Sequence, residues 1–419
     1  VRGTGTDLGA RRVFGLLFVL MMIDFADRQV LVGAFPDLRR EWELTATELG
    51  ALVSVLTLAV GLAAVPVATW VDRRSRVRTI ALMGVVWSAA AAASGWTQGY
   101  LQLLVARAGV GAGEAGYGPA GGALLAARFP GHRRATVLGA FYSAGPLGAV
   151  VGTALGGAIA AEWGWRWAVG VLAVPGLLVA LAVLRVRDYP TVRPERSASR
   201  PAAIALLRAR SAVGAITGAV LLLIVTSALY TWLPTYLQGA YHLGPADASV
   251  VAAGVLVAGA AGTTGTAMAA DRLARRDPRM RLRVPALAAL ATAGLLGPAF
   301  GVVPPGGAQL ALLLAGAAMM TCAVGPVAAV VIDVVHPAAR ATATSVLVVA
   351  QNLLGLTIGP VLTGFLADRI GLVPALALVP LLGLVAAGAL WLGARSYPGD
   401  RVEGPARAVA TASSTRAAG

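Results

Sequence analysis

Long apolar runs, separated by short polar breaks, dominate this chain. Runs of membrane-crossing length fall at 13–35, 49–71, 77–94, 100–126, 135–160, 165–184, 212–237, 249–270, 282–302, 308–335, 342–366 and 372–392. A hydrocarbon layer about 30 Å thick needs roughly 20 apolar residues in a helix rising about 1.5 Å per residue. The pattern therefore predicts an all-α membrane protein with twelve spans. A polar stretch containing VRPERSASRP separates the sixth run from the seventh. The expected organisation is an N-terminal segment 1–12, a six-helix half 13–186, a connector 187–210, a second six-helix half 211–392 and a disordered tail 393–419.

Composition agrees. Of 419 residues, 58% are hydrophobic and 13% charged, against about 25% charged in a soluble domain. The first twelve residues are polar and basic and the next run continues as a full span, so no cleavable leader is expected. The net charge of +15 would suit nucleic acid, but all 34 basic residues are arginines scattered over many loops, not gathered on one face. They sort by side instead. With twelve spans, 28 fall on the side of the termini and connector, four on the other side, and two, Arg28 and Arg107, inside spans. Basic loops stay in the cytoplasm, which predicts cytoplasmic termini in a protein of the inner (plasma) membrane. The single cysteine, Cys322, excludes an internal disulfide and a cysteine metal site. No G-x-x-x-x-G-K-[ST] loop and no paired nucleophile and base stand out. Neither an ATP-driven pump nor an enzyme is expected, and no metal or cofactor.

The chemistry lies in the charges that break the apolar pattern. Arg107 and Glu114 are seven residues apart, two helical turns, on one face of span 4. Span 1 carries Asp24, Asp27 and Arg28. Charges at that depth cost several kcal/mol unless they face protein or water. Burial disfavours an ionised carboxylate and a nearby arginine favours it, so moving the arginine switches proton affinity. Asp27 and Glu114 are the expected proton-coupling acids. Arg28 and Arg107 are their expected partners, or the binding groups for a substrate anion. Asp24, one turn before Arg28, reads first as a structural partner within the helix. Candidate pocket residues are Phe25, Tyr117, Phe141 and Tyr142 in the first half, and Tyr230, Trp232, Tyr236, Gln351 and Asn352 in the second.

The halves echo one another. Asp72, Arg73 and Arg76 follow span 2, and Asp271, Arg272 and Arg275 follow span 8, 199 residues later from aspartate to aspartate. An aspartate beside arginines at a helix end can pair in one state and release in the other, so both loops are expected cytoplasmic gates. Like-oriented halves fit carriers that hold substrate between them and rock around it.

The first of these loops resembles the gating loop of the major facilitator superfamily, with Ala68 and Ser75 where that family has glycine. Arg107 followed by GVGAGE resembles its fourth-span motif, and Gly145-Pro146-Leu147-Gly148 with Gly152, Gly156 and Gly157 its fifth-span antiporter motif. More finely, Asp27-Arg28, GVGAGEAGYGPAGGALLAARFP and FYSAGPLGAVVG resemble the Spinster-like branch. That resemblance implies a proton-coupled carrier, often of lipid-like amphiphiles, with Asp27, Arg28, Arg107 and Glu114 as coupling residues. The expected function is proton-driven export of an amphiphilic small molecule by alternating access, as a monomer in the lipid bilayer and with no nucleic-acid partner. Proton symport of an organic anion is the alternative. An uncoupled receptor or lipid facilitator is the alternative of another class.

Overall fold

A computed structural model of the protein describes residues 4–71, 75–129, 131–186, 206–336 and 340–402, and these are almost entirely helical. Among the described residues, ten helical segments are long and apolar enough to cross a membrane: Ala46–Ala64, Arg76–Ser94, Val137–Trp163, Trp165–Val183, Arg210–Tyr241, Pro245–Ala274, Met280–Gly301, Gly307–Asp333, Thr342–Ile370 and Leu372–Asp400. Spans 1 and 4 complete the twelve. Span 1, Thr4–Gly33, falls outside the apolar set because Asp24, Asp27 and Arg28 interrupt its apolar stretch. Span 4 is divided into Tyr100–Glu114 and Tyr117–Arg128 by a turn at Ala115 and Gly116. Pro119 contributes to that break, since it has no N–H to offer the Ala115 carbonyl.

One boundary differs from the sequence reading. The last helix runs to Asp400, so 393–400 is helix and not disordered tail. The reason is a cap: the Asp400 carboxylate accepts from the Ser211 N–H (2.8 Å) and hydroxyl (2.7 Å), at the start of span 7. Most of the connector, 187–205, and the tail 403–419 lie outside the described residues.

Glycines set the depth of span 1. A Cβ on Gly148, Gly152 or Gly156 would lie 2.1, 2.2 and 2.7 Å from the carbonyl oxygens of Met22, Ala26 and Val30. Span 1 thus rests backbone to backbone in a groove along span 5, and any side chain there would push it out.

Apolar packing divides the bundle into two ends. Away from the termini, one core joins both halves, with Leu31, Phe35 and Leu52 among the same buried cluster as Trp232, Leu237 and Val255. Toward the termini each half has its own core, around Leu17, Val77 and Val183 in the first and Leu282, Val334 and Tyr397 in the second. A polar bond reinforces the joined end. The Asp368 carboxylate, at the end of span 11, accepts from the N–H groups of Ala46 and Thr47, both at 2.8 Å, and from the Thr47 hydroxyl at 2.5 Å. An acid from the second half therefore adds to the cap of span 2 in the first, where Thr45 Oγ1 already accepts from the Glu48 N–H. Apolar packing thus seals the halves together at one end and is separate in each half toward the other.

Candidate functional site

Between the halves lies a cavity of about 250 Å³. Spans 1, 2, 4 and 5 contribute Phe25, Arg28, Leu56, Thr57, Arg107 and Pro146. The second half contributes Thr226, Ser227, Tyr230, Thr231, Thr263 and Thr321 with Leu256 and Leu356. Arg28 and Arg107 are the charged side chains among its described lining residues.

Each arginine is held from behind by an acid of the other span. Arg107 Nη1 donates to Asp27 Oδ2 at 3.0 Å, and both side chains are 1% exposed. Arg28 Nη2 lies 2.8 Å from Glu114 Oε2, and its Nε lies 3.6 Å from Asp24 Oδ1. Asp24 and Glu114 are buried as well. They line a second, much smaller cavity behind Arg28, of about 10 Å³, with Trp87, Tyr117 and Leu20. The result is two crossed pairs between span 1 and span 4, arginines toward the central cavity and carboxylates away from it. The Arg28 guanidinium also sits 4.7 Å over the Phe25 ring, which fixes it at the cavity wall.

The pocket candidates read from sequence scatter. Phe25 and Tyr230 line the central cavity. Tyr117 lines the small one, where its hydroxyl donates to the Leu17 carbonyl. Phe141 is buried against it in the first-half core, and Tyr142 packs on Phe141 from a half-exposed position. Trp232 and Tyr236 belong to the shared core at the sealed end: Trp232 Nε1 donates to the Pro360 carbonyl at 3.1 Å, and the Tyr236 hydroxyl accepts from Gln309 Nε2 at 2.7 Å. Gln351 and Asn352 start a wide turn, Gln351–Leu356, where Asn352 Nδ2 donates to the Val348 carbonyl at 2.9 Å. Sequence reasoning passed over the hydroxyl residues of spans 7, 8 and 10, whose one signal was their presence inside apolar runs.

Of the gate candidates, Asp72 and Arg73 lie outside the described residues. Arg76 opens span 3 directly after its cap, Ser75. Arg272 and Arg275 are exposed. Asp271 lies 3.7 Å from Arg281, a residue the sequence did not single out. Arg281 also binds Asp333 at 2.5 Å and the Tyr397 hydroxyl at 3.1 Å, tying spans 9, 10 and 12 within the second half. Among the described residues no group of three or more His, Cys, Asp or Glu is arranged to hold a metal.

Residues 17–356 match the family model of the Major Facilitator Superfamily. The chain belongs to that superfamily. It is similar to the probable L-galactonate transporter of Escherichia coli, at 30% identity over 59% of this chain and 58% of that protein, less than two thirds of its length. It is 26% identical to protein spinster homolog 1 of Xenopus laevis, over 85% of this chain and 72% of that one. An MFS-type efflux pump of Mycolicibacterium smegmatis is 28% identical over 94% of this chain and 96% of its own. Among solved structures, a bacterial homolog of the human lysosomal transporter Spinster, inward-facing and unoccupied, superposes with a TM-score of 0.84 at 21% identity. That superposition covers 94% of this chain and 99% of the other and shows the shared fold. The Spinster-like resemblance of spans 1, 4 and 5 stands with these matches. By family and fold this is a multi-pass membrane transporter of small molecules, and not an enzyme.

Proposed function

We propose that this transporter moves an organic anion together with a proton. The observation that carries the reading is the placement of Arg28 and Arg107, both facing the central cavity and both held from behind by acids. An anion entering the cavity competes with Glu114 and Asp27 for the same guanidinium groups. An acid that loses its arginine in a low-dielectric site gains affinity for a proton. Anion and proton therefore favour each other's binding, and by linkage the preference is reciprocal. Mutual support of this kind moves both in one direction.

The rest of the cavity suits the uncharged body of such a substrate. Several second-half hydroxyls are spent on backbone carbonyls: Thr226 on Leu222 (2.8 Å), Thr263 on Gly259 (3.0 Å) and Thr321 also on Gly259 (2.8 Å). They offer weak acceptors among aliphatic walls, a surface for an amphiphile or a hydroxylated chain. The similarity to a probable carrier of L-galactonate, itself a carboxylate, points the same way.

Alternating access supplies the path. With the arginine-rich loops in the cytoplasm, the sealed end is outside and the cavity opens inward. Release of the Asp368 cap would open the outer end. Proton-driven export of an amphiphile is the second reading, favoured by the likeness to an efflux pump along nearly the whole chain.

Proteoliposomes with an imposed pH gradient test both. The panel is L-galactonate, an anionic lysophospholipid, a zwitterionic lysophospholipid and a cationic amphiphile. Anion accumulation that requires the gradient and carries protons the same way is the expected result. Exchange of the cationic amphiphile for protons, with no anion movement, would overturn it.

A further inference from the structure

We propose that Asp24 and Glu114 together hold one proton at rest, Asp24 being a proton-binding partner in the coupling site and not a structural one. This rests on the proton-coupled reading above and deepens it. Charge balance opens the argument. Three carboxylates, Asp24, Asp27 and Glu114, share two guanidinium groups, Arg28 and Arg107, all in one cluster at membrane depth. Asp27 has Arg107 to itself, so Arg28 is left to serve both Asp24 and Glu114. An unpaired negative charge there costs several kcal/mol. A single bound proton makes the cluster neutral.

Geometry places that proton. Asp24 and Glu114 reach Arg28 from one side and line the same 10 Å³ cavity, about the space of one water molecule. Asp24 Oδ1 and Glu114 Oε1 are buried without a hydrogen-bond partner, and so is Trp87 Nε1 on a side chain 2% exposed. Two acids with spare acceptor oxygens and one indole donor surround a space where a proton can be shared. Glu114 is also the last residue of its helix, where the backbone carbonyl ends disfavour negative charge. Of the other groups around the pair, Asp27 is bound by Arg107 through Oδ2, with its Oδ1 left without a partner, and Tyr117 donates to the Leu17 carbonyl. Tyr142 of span 5 packs on Phe141, whose other neighbour is Tyr117.

Arg28 is the partition between the two cavities. When it swings toward an anion, the pair loses its cation and a second proton has a place to bind. The resting proton stays, and the second is the one transported.

Infrared spectroscopy of the whole chain in lipid nanodiscs tests this without substrate or gradient. At neutral pH the unmutated protein should show a protonated-carboxyl stretch equal to one group, which side-chain labelling of aspartate and glutamate with carbon-13 assigns without substitution. Asp24→Asn, and separately Glu114→Gln, should each remove it completely, since either leaves two acids facing two arginines. A missing band in the unmutated protein, or one that survives Asp24→Asn in a folded variant, overturns the proposal. If the band behaves as expected but no pH-driven transport occurs, the proton-coupled reading fails and the shared proton stands. If Glu114→Gln stops pH-driven transport while Asp24→Asn leaves both band and transport unchanged, the reverse holds.

Discussion

Spans 4 and 10 break at matching places and use the break differently. Span 4 runs as a helix from Tyr100 to Glu114, turns, and resumes at Tyr117; span 10 runs from Gly307 to Met320, turns, and resumes at Val324. In the first half a charged contact reaches from the break, Glu114 Oε2 lying 2.8 Å from Arg28 Nη2 of span 1. In the second half the break carries Thr321, whose hydroxyl donates to the Gly259 carbonyl of span 8. One scaffold thus holds charge that can be switched on one side and fixed dipoles on the other. The second half offers the substrate a surface that does not titrate. On the proposed function, the first half is the side that couples.

The largest test of this division is Arg107→Ala. Removing one partner of a buried ion pair leaves the other uncompensated, at a cost of about 3–5 kcal/mol. The expected outcome is a large loss of thermal stability in detergent, most of it restored when Asp27→Asn is added. A stable single variant would mean that the pair is solvated and that the halves differ less than their charges imply.

Next comes the Asp368 cap, where the second half does use a charge, but across the seam. Asp368→Asn weakens two backbone bonds to a carboxylate, each worth about 1.5–3 kcal/mol. The sealed end should open in a measurable fraction of molecules, a shift of about ten-fold or more for each 1.4 kcal/mol lost. Spin-label distances across that end, on a chain lacking Cys322, would show a second, longer population. An unchanged distribution would leave the shared apolar core as the sole seal.

Smaller effects are expected from the wall of the second half. Tyr230→Phe and Thr231→Val remove uncharged hydroxyls from two residues that line the cavity. Each should weaken uptake of the preferred anion by no more than about ten-fold, the scale of one neutral hydrogen bond. The ratio of protons to anions should stay the same. A changed ratio would place a coupling group in the second half.

How much of this was legible beforehand follows from the kind of signal. Apolar length and arginine sidedness report on one helix or loop at a time, so the twelve spans and the break between halves were readable. Ionisable residues in apolar runs are as conspicuous, and Asp27, Arg28, Arg107 and Glu114 meet in one cluster. Their pairing was not readable, because it depends on the register of span 1 against span 4, which glycines in span 5 determine. Asp24 looked structural because its i, i+4 relation to Arg28 is local, whereas its neighbour Glu114 is 90 residues away in sequence. Aromatic residues misled for a different reason. Trp232 and Tyr236 are large and carry a polar tip, which serves equally well to plug a sealed end.

The smallest expected effect lies at the Glu41 pair of the sealed end, where the contrast between halves recurs. In the first half, Glu41 accepts from Arg166 at 2.7 and 2.9 Å and from Trp165 Nε1 at 2.7 Å. In the second, Tyr241 donates to Gln309 Oε1 at 2.7 Å, with no charge on either side. The bonds from Arg166 and Trp165 hold the Glu41 carboxyl below its ordinary range. A group whose folded-state value is depressed contributes stability above its unfolded value, about 4.3 for glutamate, and loses it as pH falls through the folded one. Both side chains of the ion pair are well exposed, 39% for Glu41 and 40% for Arg166, so the contribution is under about 1 kcal/mol. Glu41→Gln should lower the melting temperature slightly at neutral pH, and the two melting curves should converge as the medium is acidified past about pH 4. Gln309→Leu, made in the uncharged counterpart, should give a shift that does not vary over the same range. If both variants follow pH alike, ionisation is not what separates the halves at this end, and the contrast is confined to the membrane interior.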